Sequence, residues 1–297
     1  MGSTPSKPIT QHTADVPPSL RFCRERHMVL ASVFYKTRSL MCFPTQHSFE
    51  KFLSNSRKIR AEDDGMGVPS LVLEDPYLLS RVFKGDGVRY RIYKYVLCSA
   101  SDPLPHPSCS VVSQADDRII YKMPFCEVYK AVHGGLQPGY RLVFYTPDGS
   151  LNVDLIKHRT SFDMDSQLGE WNVKWVRKAR SLLLPDKFEL LVVGSVAPPP
   201  PTTAGAPGAH RSAAYAATRA SGAAVWARYK DTDTAFLPKI TRKLASLNVG
   251  EIEIESNAAS YGLDEIPWYT QVIACMSLVI CTLQQDRKEK RRRNNSM

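Results

Sequence analysis

Residues 266–283, IPWYTQVIACMSLVICTL, form an unbroken uncharged run, and the reading of this stretch decides the architecture. Apolar side chains fall on every side of a helix drawn through it, so it is not an amphipathic surface helix. Asp264, Glu265 and Pro267 make a suitable helix start. Acids favour the positive end of the helix dipole, and Pro has no N–H to lose in the first turn. Just beyond lies RKEKRRR, Arg287 to Arg293. Two readings fit. At about 1.5 Å per residue the helix is roughly 27 Å long, near the thickness of a bilayer's hydrocarbon, which makes a tail anchor. Alternatively, protein buries the helix on every side. Thr270, Gln271, Ser277 and Thr282 lower its hydrophobicity, and its length is at the short end of the spanning range. Hydropathy leaves both open.

Upstream, the sequence reads as short strands. Val88, Tyr90, Ile92, Lys94 and Val96 alternate with Arg89, Arg91, Tyr93, Tyr95 and Leu97. Further strands are expected at 118–123, 141–145, 151–156, 171–176, 188–193, 225–229 and 251–254. In the last, Ile252 and Ile254 alternate with Glu251 and Glu253, which predicts one wet face. Between 141–145 and 151–156 lies Thr146-Pro147-Asp148-Gly149. Pro presets a turn dihedral and Gly tolerates positive φ, so a hairpin is expected. Strands at hairpin spacing with no helices between them point to a mainly β, antiparallel sandwich or barrel. Residues 197–224 interrupt them with Pro198 to Pro201 and an Ala-rich run lacking acids, read as a disordered insert.

Residues 1–86 are heterogeneous and are expected to be a poorly ordered extension. A short helix near 47–59 would place Phe49, Phe52 and Leu53 on one face. The domain is expected over 87–293, with 294–297 a tail. The 297 residues include 39 Lys and Arg against 29 Asp and Glu, a net charge of +10 that favours an anionic partner. Seven irregularly spaced cysteines without a C-x-x-C pair argue against a disulfide framework or zinc site and for a reducing compartment. No apolar signal segment opens the sequence, so a cytoplasmic or nuclear protein is expected. MGSTPSK fits the myristoylation pattern at Gly2, and equally a disordered tail.

Several pieces taken in order resemble an uncharacterised fungal domain family placed in the tubby C-terminal-like fold, which includes tubby proteins, phospholipid scramblases and plant LURP-one-related proteins. They are YRLVFYTPDGSLNVDLI at 140–156, WNVKWV at 171–176, VWARYK at 225–230, GEIEI at 250–254, and the apolar helix ending in RKEKRRR. The resemblance covers about two thirds of the chain and implies a closed antiparallel barrel of about twelve strands with the helix threaded through its axis. It favours the buried helix over the membrane span.

No catalytic motif survives inspection. Gly65 to Ser70 lacks the third glycine of a dinucleotide loop, and there is no Walker A lysine, G-x-S-x-G or H-E-x-x-H. Asp163-Met164-Asp165 opens like a calcium loop but has Leu168 where glycine is needed. His133 and His158 read as loop or surface residues, and Asp231 and Asp233 as a turn. No enzyme activity, cofactor, metal or nucleic-acid partner is expected. Two basic clusters remain as candidate lipid-binding groups. One is Lys174, Arg177, Lys178 and Arg180 beside Trp171 and Trp175. The other is Arg287, Lys288, Lys290, Arg291, Arg292 and Arg293. The first also reads as an ordinary charged strand face, the second as a solvated tail or nuclear signal. The expected function is a monomeric, non-enzymatic binding barrel docking on anionic or phosphoinositide-bearing membranes. The alternatives are the tail-anchored or scramblase-like integral protein and a protein-interaction barrel without lipid contact.

Overall fold

The computed structural model describes residues 22–33, 39–63, 65–75, 87–133, 137–146, 149–158, 161–178, 186–195, 223–232, 241–251 and 266–295. Thirteen strands run in chain order: β1 (Arg24–Val33), β2 (Leu40–Phe43), β3 (Leu71–Glu74), β4 (Val88–Ser99), β5 (Ser110–Ala115), β6 (Arg118–His133), β7 (Gln137–Thr146), β8 (Gly149–Lys157), β9 (Met164–Leu168), β10 (Trp171–Arg177), β11 (Lys187–Ser195), β12 (Val225–Asp231) and β13 (Thr241–Glu251). Helix α1 (Gln46–Ser54) lies between β2 and β3, and α2 (Trp268–Asn295) closes the series.

Twelve of the strands make one antiparallel ring. Neighbours pair in sequence from β6 through β13, β13 pairs with β1, β1 to β4 follow, and β4 returns to β6. Closure leaves the ring no exposed edge. β5 stands outside, paired to the first residues of β6. Eight strands enclose only enough room for their own side chains, whereas twelve enclose more, and here a helix occupies it. One apolar cluster contains inward residues from all twelve staves, such as Leu30, Cys42, Leu73, Ile92, Val128, Phe144, Leu155, Met164, Trp175, Phe188, Trp226 and Leu247, together with Val272 to Cys281 apart from Ser277. With Ser277, also buried, they make ten consecutive helix residues buried on every side. The membrane-spanning reading of 266–283 is therefore corrected. Among the described residues no helix is long and apolar enough to cross a membrane. The all-round hydrophobicity answers to a wall of side chains instead.

The expected boundary near residue 87 is also corrected. β1, β2 and β3 supply three staves, so residues 22–75 belong to the barrel. LMCF in β2 and LVL in β3 are buried throughout, hence show no alternation to read. Their outer faces are covered by α1 and residues 61–68, which make a second apolar cluster with Val29, Phe43, Phe49, Phe52, Val72, Tyr95 and Ile120. Phe49 and Phe52 face inward as expected, whereas Leu53 is exposed. The same cover buries Tyr95, which lies on the face of β4 opposite Tyr90 and Ile92.

β7 and β8 form the expected hairpin, with Thr146 opposite Gly149; its turn residues, 147 and 148, lie outside the described set. So do 1–21, Ile252 and Ile254, Asp264 and Glu265, Arg180 and residues 197–222 of the Pro/Ala insert. Ala224, assigned to that insert, instead caps the core beside β12 and accepts a hydrogen bond from Val192 N at 2.9 Å. Asn294 and Asn295 continue α2 rather than forming a separate tail.

Candidate functional site: the mouth where the helix emerges

The helix has one end anchored by aromatic rings and a buried carboxylate. Trp268 packs edge-on against Phe125 and Phe144, and Tyr269 lies 5.5 Å from Trp226. Gly169, at positive φ in the two-residue β9–β10 turn, leaves room for Tyr269, whose hydroxyl a Cβ there would meet at 2.5 Å. Glu251 is 1% exposed, which corrects the expectation of a wet face at this residue; Glu253 lies outside the described residues. Its carboxylate accepts hydrogen bonds from Arg24 and Arg26 of β1 and from Thr270 of α2. Burial is tolerated because two guanidiniums neutralise the charge.

The other end leaves the ring after Cys281. There its last turns meet the ends of β4, β6, β7, β8 and β9 around a cavity of ≈ 260 Å³. Met164, Leu283 and Phe162 give the cavity an apolar floor, and Arg89, Lys130, Lys157, Arg287 and Lys290 ring it with positive charge against the single carboxylate of Asp286. Arg287 sits 3.6 Å from the centroid of Phe162, and Arg177 sits 4.8 Å from the same ring. The two basic clusters legible in the sequence thus meet at one aromatic side chain. Arg89 covers Tyr90 at 4.6 Å and faces Asp75 at 3.8 Å. Among the described residues no carboxylate lies within ion-pair distance of Lys130, Lys157 or Lys290. Burial pushes the Tyr90 hydroxyl up to about 12; the Asp286 charge adds to the shift and Arg89 opposes it. Tyr140, on the cavity wall, is raised for the same reasons.

The remaining sequence candidates have other work. Lys174 lies 3.9 Å from both Asp163 and Asp165, and Arg177 also bonds Asp186. Lys178 pairs with Glu189 at 2.8 Å. Trp171 and Trp175 point into the barrel, whereas Lys174, out of phase with them along β10, lies on the opposite face. Lys288 reaches back 2.7 Å to Asp231, which is 2% exposed, so the residue read as part of a turn pins the emerging helix to β12. Arg293 is exposed on α2, and Arg291 and Arg292 lie in the same helix. His158 bonds Asp165 at 2.8 Å, and among the described residues no group of His, Cys, Asp and Glu is arranged to hold a metal. Sequence reasoning missed Arg89, Lys130, Lys157 and Phe162. Each is a lone residue at a strand end or loop, and only ring closure gathers them.

These features define a helix-filled antiparallel barrel with a cationic mouth. The chain belongs to the DIA1 family, whose model matches residues 23–289, from β1 to the emerged turns of α2. It is 28% identical over 284 residues to the uncharacterized protein YOR385W of Saccharomyces cerevisiae, covering 93% of this chain and 92% of that one. Similarity to the uncharacterized protein YNL165W of the same yeast is 26% over 295 residues, covering 91% and 72%. Similarity to its Protein DIA1 is 27% over 188 residues, covering 60% of this chain and 54% of that protein. No solved structure matches.

Proposed function

We propose that this is a non-enzymatic, monomeric binding barrel that docks its helix-exit mouth on the anionic cytoplasmic face of a membrane. The observation carrying this reading is the convergence of Arg89, Lys130, Lys157, Arg287 and Lys290 on one rim. Cations near an anionic leaflet each contribute about 1 kcal/mol, and the effect decays within a Debye length. Phosphoinositide-rich membrane is the preferred target, in keeping with the resemblance to tubby-like barrels. Acylation at Gly2 would supply the second anchoring signal that stable attachment needs.

The test is flotation of the full chain with phosphatidylcholine vesicles, with and without phosphatidylserine or phosphoinositide, in low and high salt. Binding that requires anionic lipid, falls with salt, and drops at least tenfold in Lys130→Glu/Lys290→Glu is the expected result. Equal binding to neutral vesicles, or none to any, overturns the reading and leaves a barrel for protein partners.

A further inference from the structure

The mouth is more than a charged rim. Its cavity is enclosed on one side by α2 and on the other by strand ends, and its size, ≈ 260 Å³, is below the roughly 300–1,000 Å³ of sites for drug-sized ligands. A compact ligand fits. Of its five cations Arg89 faces Asp75, and Asp286 offsets one more charge, which leaves an excess of three positive charges, the number of the lysines. One phosphate carries about −1.5 to −2 at neutral pH, so balancing this lining takes about two phosphates close together. A lone carboxylate or a phosphodiester falls short.

The lysines come from different elements. Lys130 lies shortly before the end of β6 at His133, Lys157 ends β8, and Lys290 stands on α2. An anion touching all three joins the helix to the wall at the point where helix packing gives out. The attachments already there are Arg287 on Phe162 and Lys288 on Asp231, at the edges of the same opening.

We propose that this cavity is a site for a compact polyphosphate group, adjacent phosphates on one small molecule or headgroup, whose binding locks the last turns of α2 to the barrel. This rests on reading the mouth as anion-attracting, but not on membrane docking. Vicinal phosphates reach such a site on a soluble metabolite or on a lipid, and both offer the same chemistry to the three lysines.

The test uses the full chain and inorganic tripolyphosphate at constant ionic strength, followed by calorimetry and by amide exchange of residues 282–290. Expected are one saturable site, at least tenfold weaker in Lys130→Ala/Lys157→Ala/Lys290→Ala and unchanged in Lys58→Gln, and slower exchange of those turns. In the unmodified protein, tripolyphosphate is expected to shield the three lysines from acylating reagent while Lys58 stays reactive. Sulfate binding as tightly as tripolyphosphate, absence of saturation, or equal labelling of all lysines overturns the site. Unchanged exchange overturns the lock on α2. Vesicles doped with diacylglycerol pyrophosphate separate the sources. Retention reversed by tripolyphosphate points to a lipid headgroup, and tripolyphosphate binding without retention to a soluble ligand. If tripolyphosphate binds but phosphatidylserine and phosphoinositide vesicles do not, membrane docking fails and this site stands.

Discussion

Arg287 lays its guanidinium 3.6 Å from the ring centroid of Phe162, so a residue on the emerged helix rests on the loop between β8 and β9. The ring is shared with Arg177 at 4.8 Å and Lys157 at 5.9 Å. Cations over an aromatic face gain about 0.5–2 kcal/mol, which holds three positive charges closer together than their repulsion would allow. Phe162→Leu keeps most of the volume and removes the quadrupole. It is expected to weaken anionic-vesicle binding three- to tenfold while shifting unfolding stability by no more than about 1 kcal/mol. Unchanged binding would show that Phe162 only fills space.

Glu251 is the buried charge whose loss should cost most. Glu251→Ala leaves Arg26 buried without its partner and is expected to destabilise the protein by about 3–5 kcal/mol. Pairing it with Arg26→Met should recover part of that loss, because the stranded guanidinium is gone. Guanidinium unfolding curves for the two variants decide it, and a single-variant cost under about 1 kcal/mol would mean that water reaches the site.

The helix should behave as core. Ile280 is fully buried on α2, and Ile280→Ala is expected to cost about 2–5 kcal/mol. Leu151→Ala, at a side chain 43% exposed on β8, should stay within about 0.5 kcal/mol. Similar unfolding midpoints for the two would contradict a helix inside the ring.

Alkaline pH should loosen the fold through Tyr90. Its hydroxyl titrates near 10 in the unfolded chain and about 12 when folded. The associated stability is complete below pH 10 and is lost as pH rises toward 12, up to about 2 kcal/mol. Tyr90→Phe is expected to flatten stability over that window, measured by urea unfolding at fixed pH. An unaltered slope would assign the loss to other tyrosines.

The thiols offer a simple check on packing. Cys42, Cys126, Cys275 and Cys281 are buried and Cys23 is exposed. Burial also raises the Cys42 and Cys275 thiols well above their ordinary value, so neither forms the reactive thiolate. In the native protein these four should resist an aromatic disulfide reagent that modifies all seven cysteines in denaturant. Rapid native reaction of Cys275 would show that the helix leaves the barrel.

Strands that alternate or follow a turn signal were legible in the sequence, as in β4, β7, β8 and β10. β2 and β3 were not, because both of their faces are covered and a continuous apolar tetrapeptide carries no period. β9, MDSQL, hides Met164, Ser166 and Leu168 behind polar composition. Glu251 looked solvent-facing because its neutralising arginines sit 225 and 227 residues away. At the mouth, the helix end was visible as a charge run. The strand-end lysines were not, since single charges at strand ends are ordinary and only closure of the ring gives them a shared neighbour.

Ring closure joins Arg24 to Glu251 across 227 residues, and the filling helix comes later still. At synthesis rates of about 5–20 residues per second, β1 emerges from the ribosome many seconds before its partner exists. Until then its apolar face and its two arginines have no native counterpart. The nascent chain is thus a waiting half-cylinder, exposed to chaperones and to strand exchange. Such a protein matures in a late step after translation, and fusions or truncations that delay residues 241–281 should lower its yield more than they lower its final stability.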